Sequence, residues 1–278
     1  MRLAATIAQA LQAARDARVD RLDAQLMLAQ LMQQPRSWLI AHDDAPLSPP
    51  QATQYAQWLT RRGAGEPLAY VLAQAEFCGL TLQVGPQVLI PRPETELLVE
   101  WGLQVLSGQL APCAQPQVVD LGCGSGAIAL AIRHQHPAAT VTAVDASDAA
   151  LDVARQNAAR LNLPITCVQG DWWSAVAGQR FHLALSNPPY IAPGDPHLAA
   201  LQHEPHSALV APERGLSDLH RLIDGAPAAL HPGGWLLLEH GHDQGAAVRT
   251  RLQQAGFTDV STRRDLADME RCTGARLG

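Results

Sequence analysis

From Glu94 onward, short apolar runs alternate with amphipathic segments, and this alternation restricts the fold more than any other feature of the chain. Strand-like runs lie at Val118–Asp120, Thr140–Asp145, Ile165–Gln169, His182–Ser186 and Trp235–Glu239. Helical periodicity marks Glu94–Leu106, Ala127–His134, Ala149–Leu161, Leu216–Leu230 and Gly245–Ala255. Two last strands are read near Asp259–Thr262 and Cys272–Arg276. Brief apolar runs between helices suit strands that are covered on both faces. The pattern therefore predicts an α/β fold, a mostly parallel sheet with helices on both sides.

The part before Glu94 is of a different kind. Residues 1–72 read as a small all-helical domain. Ile7, Leu11 and Ala14 share one face, and Leu22, Leu26, Leu28, Leu31 and Met32 form a second periodic run. Asp20 is placed to cap that second helix, and Pro35 to end it. Ser48-Pro49-Pro50 reads as the start of a helix carrying Tyr55, Trp58 and Leu59. Residues 73–93 then alternate with a period near two from Glu76 to Gly85, followed by Val88-Leu89-Ile90. This predicts a β-hairpin linker that stops at Pro91 and Pro93. Residues 94–278 form the third segment.

Bulk properties narrow the function. Of 278 residues, 47% are hydrophobic, enough for a sizeable core. The net charge is −6, and no lysine occurs, so all 20 basic residues are arginines. An acidic chain is poorly suited to a long nucleic-acid footprint, which needs many phosphates neutralised. The five cysteines are widely spaced with no Cys-x-x-Cys pair, which argues against a zinc site or a disulfide framework. His134, His136, His203, His206, His240 and His242 supply no third ligand in a recognisable pattern, so no metal is expected. Neither an apolar leader at the start nor a membrane-length apolar run is present, and a cytoplasmic location is expected.

Two stretches carry chemistry. The first is Asp120-Leu121-Gly122-Cys123-Gly124-Ser125-Gly126, between a strand and a helix. Glycines there let the backbone approach a ligand and take left-handed conformations. A dinucleotide fingerprint needs Gly-x-Gly-x-x-Gly, but the position five after Gly122 is Ala127. Alternating glycines after an acid instead resemble the turn of S-adenosylmethionine enzymes, whose ligand carries an amino-acid tail. Asp145, at the end of the next strand, is placed to accept ribose hydroxyls. Asp171 and Trp172 end the third strand and suit an adenine by hydrogen bonding and stacking, whereas Trp173 reads as core.

The second stretch is Asn187-Pro188-Pro189-Tyr190, at the end of the apolar run Phe181–Ser186. The prolines end the strand and hold the Asn rigidly. Its side-chain carbonyl, with a backbone carbonyl freed from helical bonding, offers two acceptors to a planar –NH2 group. That geometry serves an adenine amino group or a carboxamide equally well.

Taken with other segments, these residues resemble the peptide chain release factor glutamine methyltransferases, the HemK/PrmC family of class I S-adenosylmethionine-dependent enzymes. The supporting runs are Glu66-Pro67-Leu68-Ala69-Tyr70, Val88-Leu89-Ile90-Pro91-Arg92-Pro93-Glu94-Thr95-Glu96, Asp120–Gly126, Ser186–Ile191 and Pro232-Gly233-Gly234 onward to Gly241. The family usually carries Gly where this chain has Ala73.

The resemblance implies a Rossmann-like seven-strand methyltransferase domain, preceded by a helical substrate-recognition domain and a hairpin. It implies methyl transfer from S-adenosyl-L-methionine to a glutamine side-chain amide in the Gly-Gly-Gln motif of release factors, leaving S-adenosyl-L-homocysteine. Carried over by position, Gly122, Cys123, Gly124, Ser125, Gly126, Asp145, Asp171, Trp172 and Asn187 bind the cofactor. Asn187, Pro188, Pro189 and Tyr190 bind the glutamine, with Asn187, Pro188 and Tyr190 catalytic. A monomer that binds neither membrane nor nucleic acid is expected. The competing reading is an adenine-amino methyltransferase acting on DNA or RNA.

Overall fold

The computed structural model describes residues 3–278; the first two residues of the expected helical segment lie outside it. The chain divides into two compact units, one ending at Gln74 and one spanning Ala75–Gly278.

The first unit contains helices α1 (Ile7–Asp16), α2 (Arg21–Met32), α3 (Arg36–Ala41), α4 (Pro49–Gly63) and α5 (Leu68–Leu72). Their ends follow the sequence signals. Asp20 accepts from Leu22 N at 2.7 Å. Ser48 and Gln51 form a reciprocal capping box at the start of α4. The α2 core face differs from the expected run, because Ala24, Met27 and Leu28 are buried while Leu22 stands 46% exposed. Residues 24, 27 and 28 fall on one side of a 3.6-residue helix, and Leu22 falls off it. Pro35 does more than end α2, since it also opens the short α3. Ala73 caps α5 with φ +55, a left-handed conformation that glycine adopts without cost. This is the position at which the HemK/PrmC pattern carries Gly.

A hairpin follows, β1 (Gln74–Phe77) and β2 (Leu80–Gln83), which lies in the second unit apart from its first residue. The hairpin ends earlier than the sequence pattern suggests. Residues 88–90 are not a strand, because Pro91 and Pro93 interrupt any ladder and Ile90 N donates to Glu204 Oε2 at 3.0 Å. A seven-stranded sheet follows in the order β5-β4-β3-β6-β7-β9-β8. Its strands are β3 (Gln117–Leu121), β4 (Thr140–Asp145), β5 (Thr166–Gln169), β6 (Phe181–Ser186), β7 (Leu230–Glu239), β8 (Phe257–Arg264) and β9 (Glu270–Leu277). The first five are parallel, and β9 runs antiparallel to both β7 and β8.

Helices α6 (Glu96–Ser107), α7 (Ala127–Gln135) and α8 (Asp148–Leu161) cover one face; those at Ser217–Ala229 and Gly245–Gln254 cover the other. Each face has its own apolar core. Leu98, Leu130 and Leu183 lie in one, and Leu219, Leu236 and Leu238 in the other. This is the Rossmann-like architecture expected from the sequence. The strand order reverses at β3, which opens a crevice at the carboxyl ends of β3, β4 and β6.

Candidate active site

The turn after β3 is shaped by three glycines with positive φ: +75 at Gly122, +54 at Gly124 and +81 at Gly126. Backbone N–H groups of Gly122 and Cys123 both donate to Val144 O, at 2.8 and 2.9 Å. Asp145 organises the same turn, accepting from Gly124 N at 2.8 Å on Oδ2 and from Ser147 N at 2.9 Å on Oδ1. Burial raises the Asp145 carboxyl above its ordinary range, and these N–H bonds oppose the shift. Ser147, rather than Asp145, caps α8.

A pocket of about 480 Å³ lies above this turn. It brings together Gly122, Gly124, Asp145, Asp171, Trp172, Asn187 and Pro189. Cys123, Ser125 and Gly126 do not line it. Cys123 and Ser125 are buried, Ser125 O accepts from Asn157 Nδ2 at 3.0 Å, and Gly126 lies against Ala154 of α8. They shape the turn from behind. Trp172 takes φ +48, and its ring stands over Gly122, where an added Cβ would come within 3.0 Å of it. Its Nε1 donates to Asp218 Oδ1 at 3.3 Å. Asp171 is largely exposed and paired with Arg221. Asp218 and Arg221 reach the pocket from a distant helix, and sequence reasoning missed them. Trp173 is packed in the core and donates to Leu222 O at 2.8 Å.

These features fit an adenosyl ligand with an amino-acid tail. A Cβ placed on Gly124 would meet no protein atom within 4 Å, so that glycine faces the open pocket. Exposed backbone, a carboxylate at a strand end and an indole line a space of the right size for a nucleoside. Among the described residues, no group of three or more His, Cys, Asp or Glu could hold a metal ion. All five cysteines are free thiols.

A second pocket, of about 180 Å³, adjoins the first. Arg92, Asn187, Pro188, Tyr190 and Ile191 line it, with apolar Leu89, Leu201, Ala208 and Leu209. Asn187 is the one polar residue that lines both pockets among the described residues. The end of β6 is held firmly. Ser186 Oγ donates to Leu121 O at 2.6 Å, and Asn187 Nδ2 donates to Thr95 Oγ1 at 3.1 Å. Tyr190 OH donates to Glu239 Oε1 at 3.2 Å.

The backbone after Asn187 is braced as well. Gln244 Nε2 donates to Tyr190 O at 3.0 Å and to Arg214 O at 3.2 Å. Glu213 and Arg214 both have left-handed φ, and Gly215 follows at +84. Non-glycine residues in that region carry strain that surrounding structure must hold in place. Here it brings the turn against the Tyr190 carbonyl. Glu204, almost fully buried, accepts from Ile90 N and from Arg92, and so fixes the Ile90–Arg92 segment beside the smaller pocket.

Comparison with known proteins places this arrangement. The model of the methyltransferase small domain matches residues 97–208, and that of the PrmC N-terminal domain matches residues 3–72. The chain is 48% identical to the release factor glutamine methyltransferase of Burkholderia pseudomallei, over 93% of each. It is 44% identical to that of Escherichia coli, over 92% of each. The chain belongs to the release factor glutamine methyltransferase family. That family is S-adenosylmethionine-dependent. More distant solved structures share the fold alone. A Pyrococcus furiosus methyltransferase covers 79% of this chain and 99% of its own, with a TM-score of 0.55 at 19% identity. A 16S rRNA guanine methyltransferase from T. thermophilus covers 74% of this chain and 50% of its own, with a TM-score of 0.52 at 21% identity.

Proposed function

We propose that this chain transfers a methyl group, directly and in line, from S-adenosyl-L-methionine to the side-chain amide nitrogen of a glutamine in the Gly-Gly-Gln motif of peptide chain release factors. One observation carries the reading. Asn187 is shared by a nucleoside-sized pocket and a small pocket that fits a side chain. A group held by Asn187 in the small pocket therefore faces whatever occupies the large one.

When bound, the cofactor supplies an electrophilic methyl group. Everything else is alignment by this chain. Gly122, Gly124 and Asp145 hold the amino-acid and ribose portions, and Trp172 lies against the adenine. Cys123, Ser125 and Gly126 keep the turn in shape. Asp171 contributes through Arg221 at the rim. Asn187 Oδ1 and the Pro188 carbonyl accept the two amide hydrogens, while Tyr190 closes the wall of the smaller pocket; Pro189, expected at the glutamine, lines the larger pocket instead. An amide nitrogen is a poor nucleophile because its lone pair is delocalised. Holding it by both hydrogens directs that lone pair at the methyl carbon, and positioning of this kind supplies several kcal/mol of a barrier. As the nitrogen gains positive charge, both acceptors bind it more strongly.

The helical unit, matched by the PrmC N-terminal model, is read as the domain that recognises the substrate protein. The enzyme is further read as a cytoplasmic monomer, with no stable nucleic-acid binding in keeping with its charge of −6. No helix among the described residues is long and apolar enough to cross a membrane. The test is methyl transfer from labelled cofactor with purified release factor, with DNA, with RNA and with none of them. Label on the release factor glutamine is expected. Label on nucleic acid alone would replace this reading with adenine methylation.

A further inference from the structure

A carboxamide has two ends, and the clamp serves only one. Its nitrogen carries two N–H donors, and its oxygen is an acceptor. Asn187 Oδ1 and the Pro188 carbonyl suit the hydrogens. The oxygen is then left in a pocket of about 180 Å³ whose wall is largely apolar. A buried acceptor without a donor weakens binding, so the pocket needs a donor opposite the clamp.

Among the described residues, three polar side chains line this pocket: Arg92, Asn187 and Tyr190. Two of them have their donors engaged elsewhere. Asn187 Nδ2 turns to Thr95 Oγ1 at 3.1 Å, and the one hydroxyl hydrogen of Tyr190 goes to Glu239 Oε1 at 3.2 Å. Nearby backbone donors are engaged as well. Ile191 N donates to Leu209 O at 2.9 Å, and Ala208 N to Pro205 O at 2.9 Å. Arg92 differs. A guanidinium has five N–H donors, and among the described residues Glu204 is its one partner.

The chain also holds Arg92 firmly in this place. It stands between Pro91 and Pro93, with φ −101 and ψ 142, the extended geometry favoured before a proline. Its carbonyl accepts from Thr95 N at 3.1 Å, and Thr95 Oγ1 accepts from Asn187. One tight turn therefore ties Arg92 to the clamp. Glu204, with a side chain only 3% exposed, anchors the guanidinium: Oε1 accepts from Arg92, and Oε2 from Ile90 N at 3.0 Å. A planar fork can face a carboxylate with one N–H and another group with the rest. Burial pushes the Tyr190 hydroxyl up and Glu239 adds to the rise, while Arg271 and Arg92 oppose it, so the charge of Arg92 is felt at the pocket wall.

We propose that Arg92 is a substrate-binding residue that donates a hydrogen bond to the side-chain carbonyl oxygen of the target glutamine. This rests on the reading of Asn187 as the amide clamp. Together the two contacts read both ends of the carboxamide. A reversed amide would set donor against donor at Arg92 and acceptor against acceptor at Asn187. The electronic effect does not favour bond formation, because a cation at the oxygen draws the nitrogen lone pair further into the carbonyl. Arg92 therefore acts in binding and orientation, and its loss is expected in KM for the release factor more than in kcat.

The experiment measures methylation of a release factor by wild type, Arg92→Met and Arg92→Lys. It also records the infrared carbonyl band of a release factor labelled with carbon-13 at the side-chain carbonyl of the target glutamine, bound in the presence of S-adenosyl-L-homocysteine. Arg92→Met is expected to raise KM for the release factor about 10- to 100-fold, the worth of a hydrogen bond to a charged group. Its kcat stays within a few-fold, and cofactor Kd is unchanged because Arg92 does not line the larger pocket. The labelled band lies at lower frequency on wild type than on Arg92→Met. Arg92→Lys behaves similarly, since one ammonium cannot serve Glu204 and the oxygen with a fork's geometry, and it carries the same comparison where Arg92→Met does not fold. Wild-type KM in these variants overturns the inference. So does a raised KM with the band at its wild-type frequency, which would leave Arg92 as a structural partner of Glu204. Failure of the wild type itself to methylate the release factor would instead overturn the functional reading beneath it.

Discussion

Gly215 lines neither pocket, yet substituting it offers a way to displace the clamp. Its φ is +84, and a Cβ there would come 2.0 Å from Tyr190 O and 2.7 Å from Gln244 Nε2. Contacts of that kind need about 3 Å or more, so Gly215→Ala must open the gap by about 1 Å. The neighbours cannot give easily. Tyr190 O is held by Gln244, and Ile191 is bonded both ways, to Leu209 O at 2.9 Å and from Ala211 N at 3.0 Å. Backbone strain costs roughly 1–3 kcal/mol, and overpacking about the same again. Against a total stability of roughly 5–15 kcal/mol, the protein stays folded at low temperature. A shift of about 1 Å at a reacting group costs roughly 100-fold in rate. We therefore expect kcat for release factor methylation to fall about 100-fold, with S-adenosylmethionine affinity unchanged by calorimetry, since Gly215 and Tyr190 do not line the larger pocket. A folded Gly215→Ala protein with wild-type kcat would refute the reasoning. So would parallel loss of cofactor binding.

The opposite split is expected for Gly124→Ala. Its φ of +54 strains any side chain and its Cβ would enter the cofactor pocket, so cofactor Kd should rise at least about tenfold for a stability loss of roughly 1–2 kcal/mol, read by calorimetry and thermal melting. Asp120 is expected to control stability against pH. Burial raises it from 3.8 to about 7, with Asp145 adding to the rise and the Ala129 N–H opposing it. Because the folded state holds this proton more tightly, its contribution is full below about pH 4 and fades as pH rises through about 7. Asp120→Asn should flatten the fall in urea midpoint over that window, where one such group accounts for at most about 1.4 kcal/mol per pH unit.

Much of the architecture was legible because local and tertiary signals agree. The strand Thr140–Asp145 was readable to the residue, since an apolar run ends at an acid and the capping residue Ser147 follows. Ser48-Pro49-Pro50 announced the start of α4 in the same way, and Ser48 is its capping residue. Val88–Ile90 misled because its apolar side chains look like a strand, while the acceptor that fixes the Ile90 N–H is Glu204, 114 positions away. Leu22 misled because composition made α2 apolar on several sides.

The site divides along similar lines. Gly122, Gly124, Asp145 and Asn187 sit at strand ends, where position alone implies a role. Cys123 and Ser125 share that stretch, but the turn directs them inward. Thr95, Gly215, Asp218 and Glu239 were not legible. They meet the site from separate elements, so no spacing rule connects them. A single acid closing the apolar run Leu236–Leu238 was the only hint of Glu239.

The most direct test of the account is single-turnover methylation of a release factor by Asn187→Ala, with cofactor affinity measured on the same preparation. The clamp supplies an acceptor that gains strength only as the nitrogen becomes charged, and losing such a group costs about 100- to 1,000-fold. The account predicts a loss of that order in the chemical step, in a protein that melts as the wild type does. Turnover within a few-fold of wild type would contradict it.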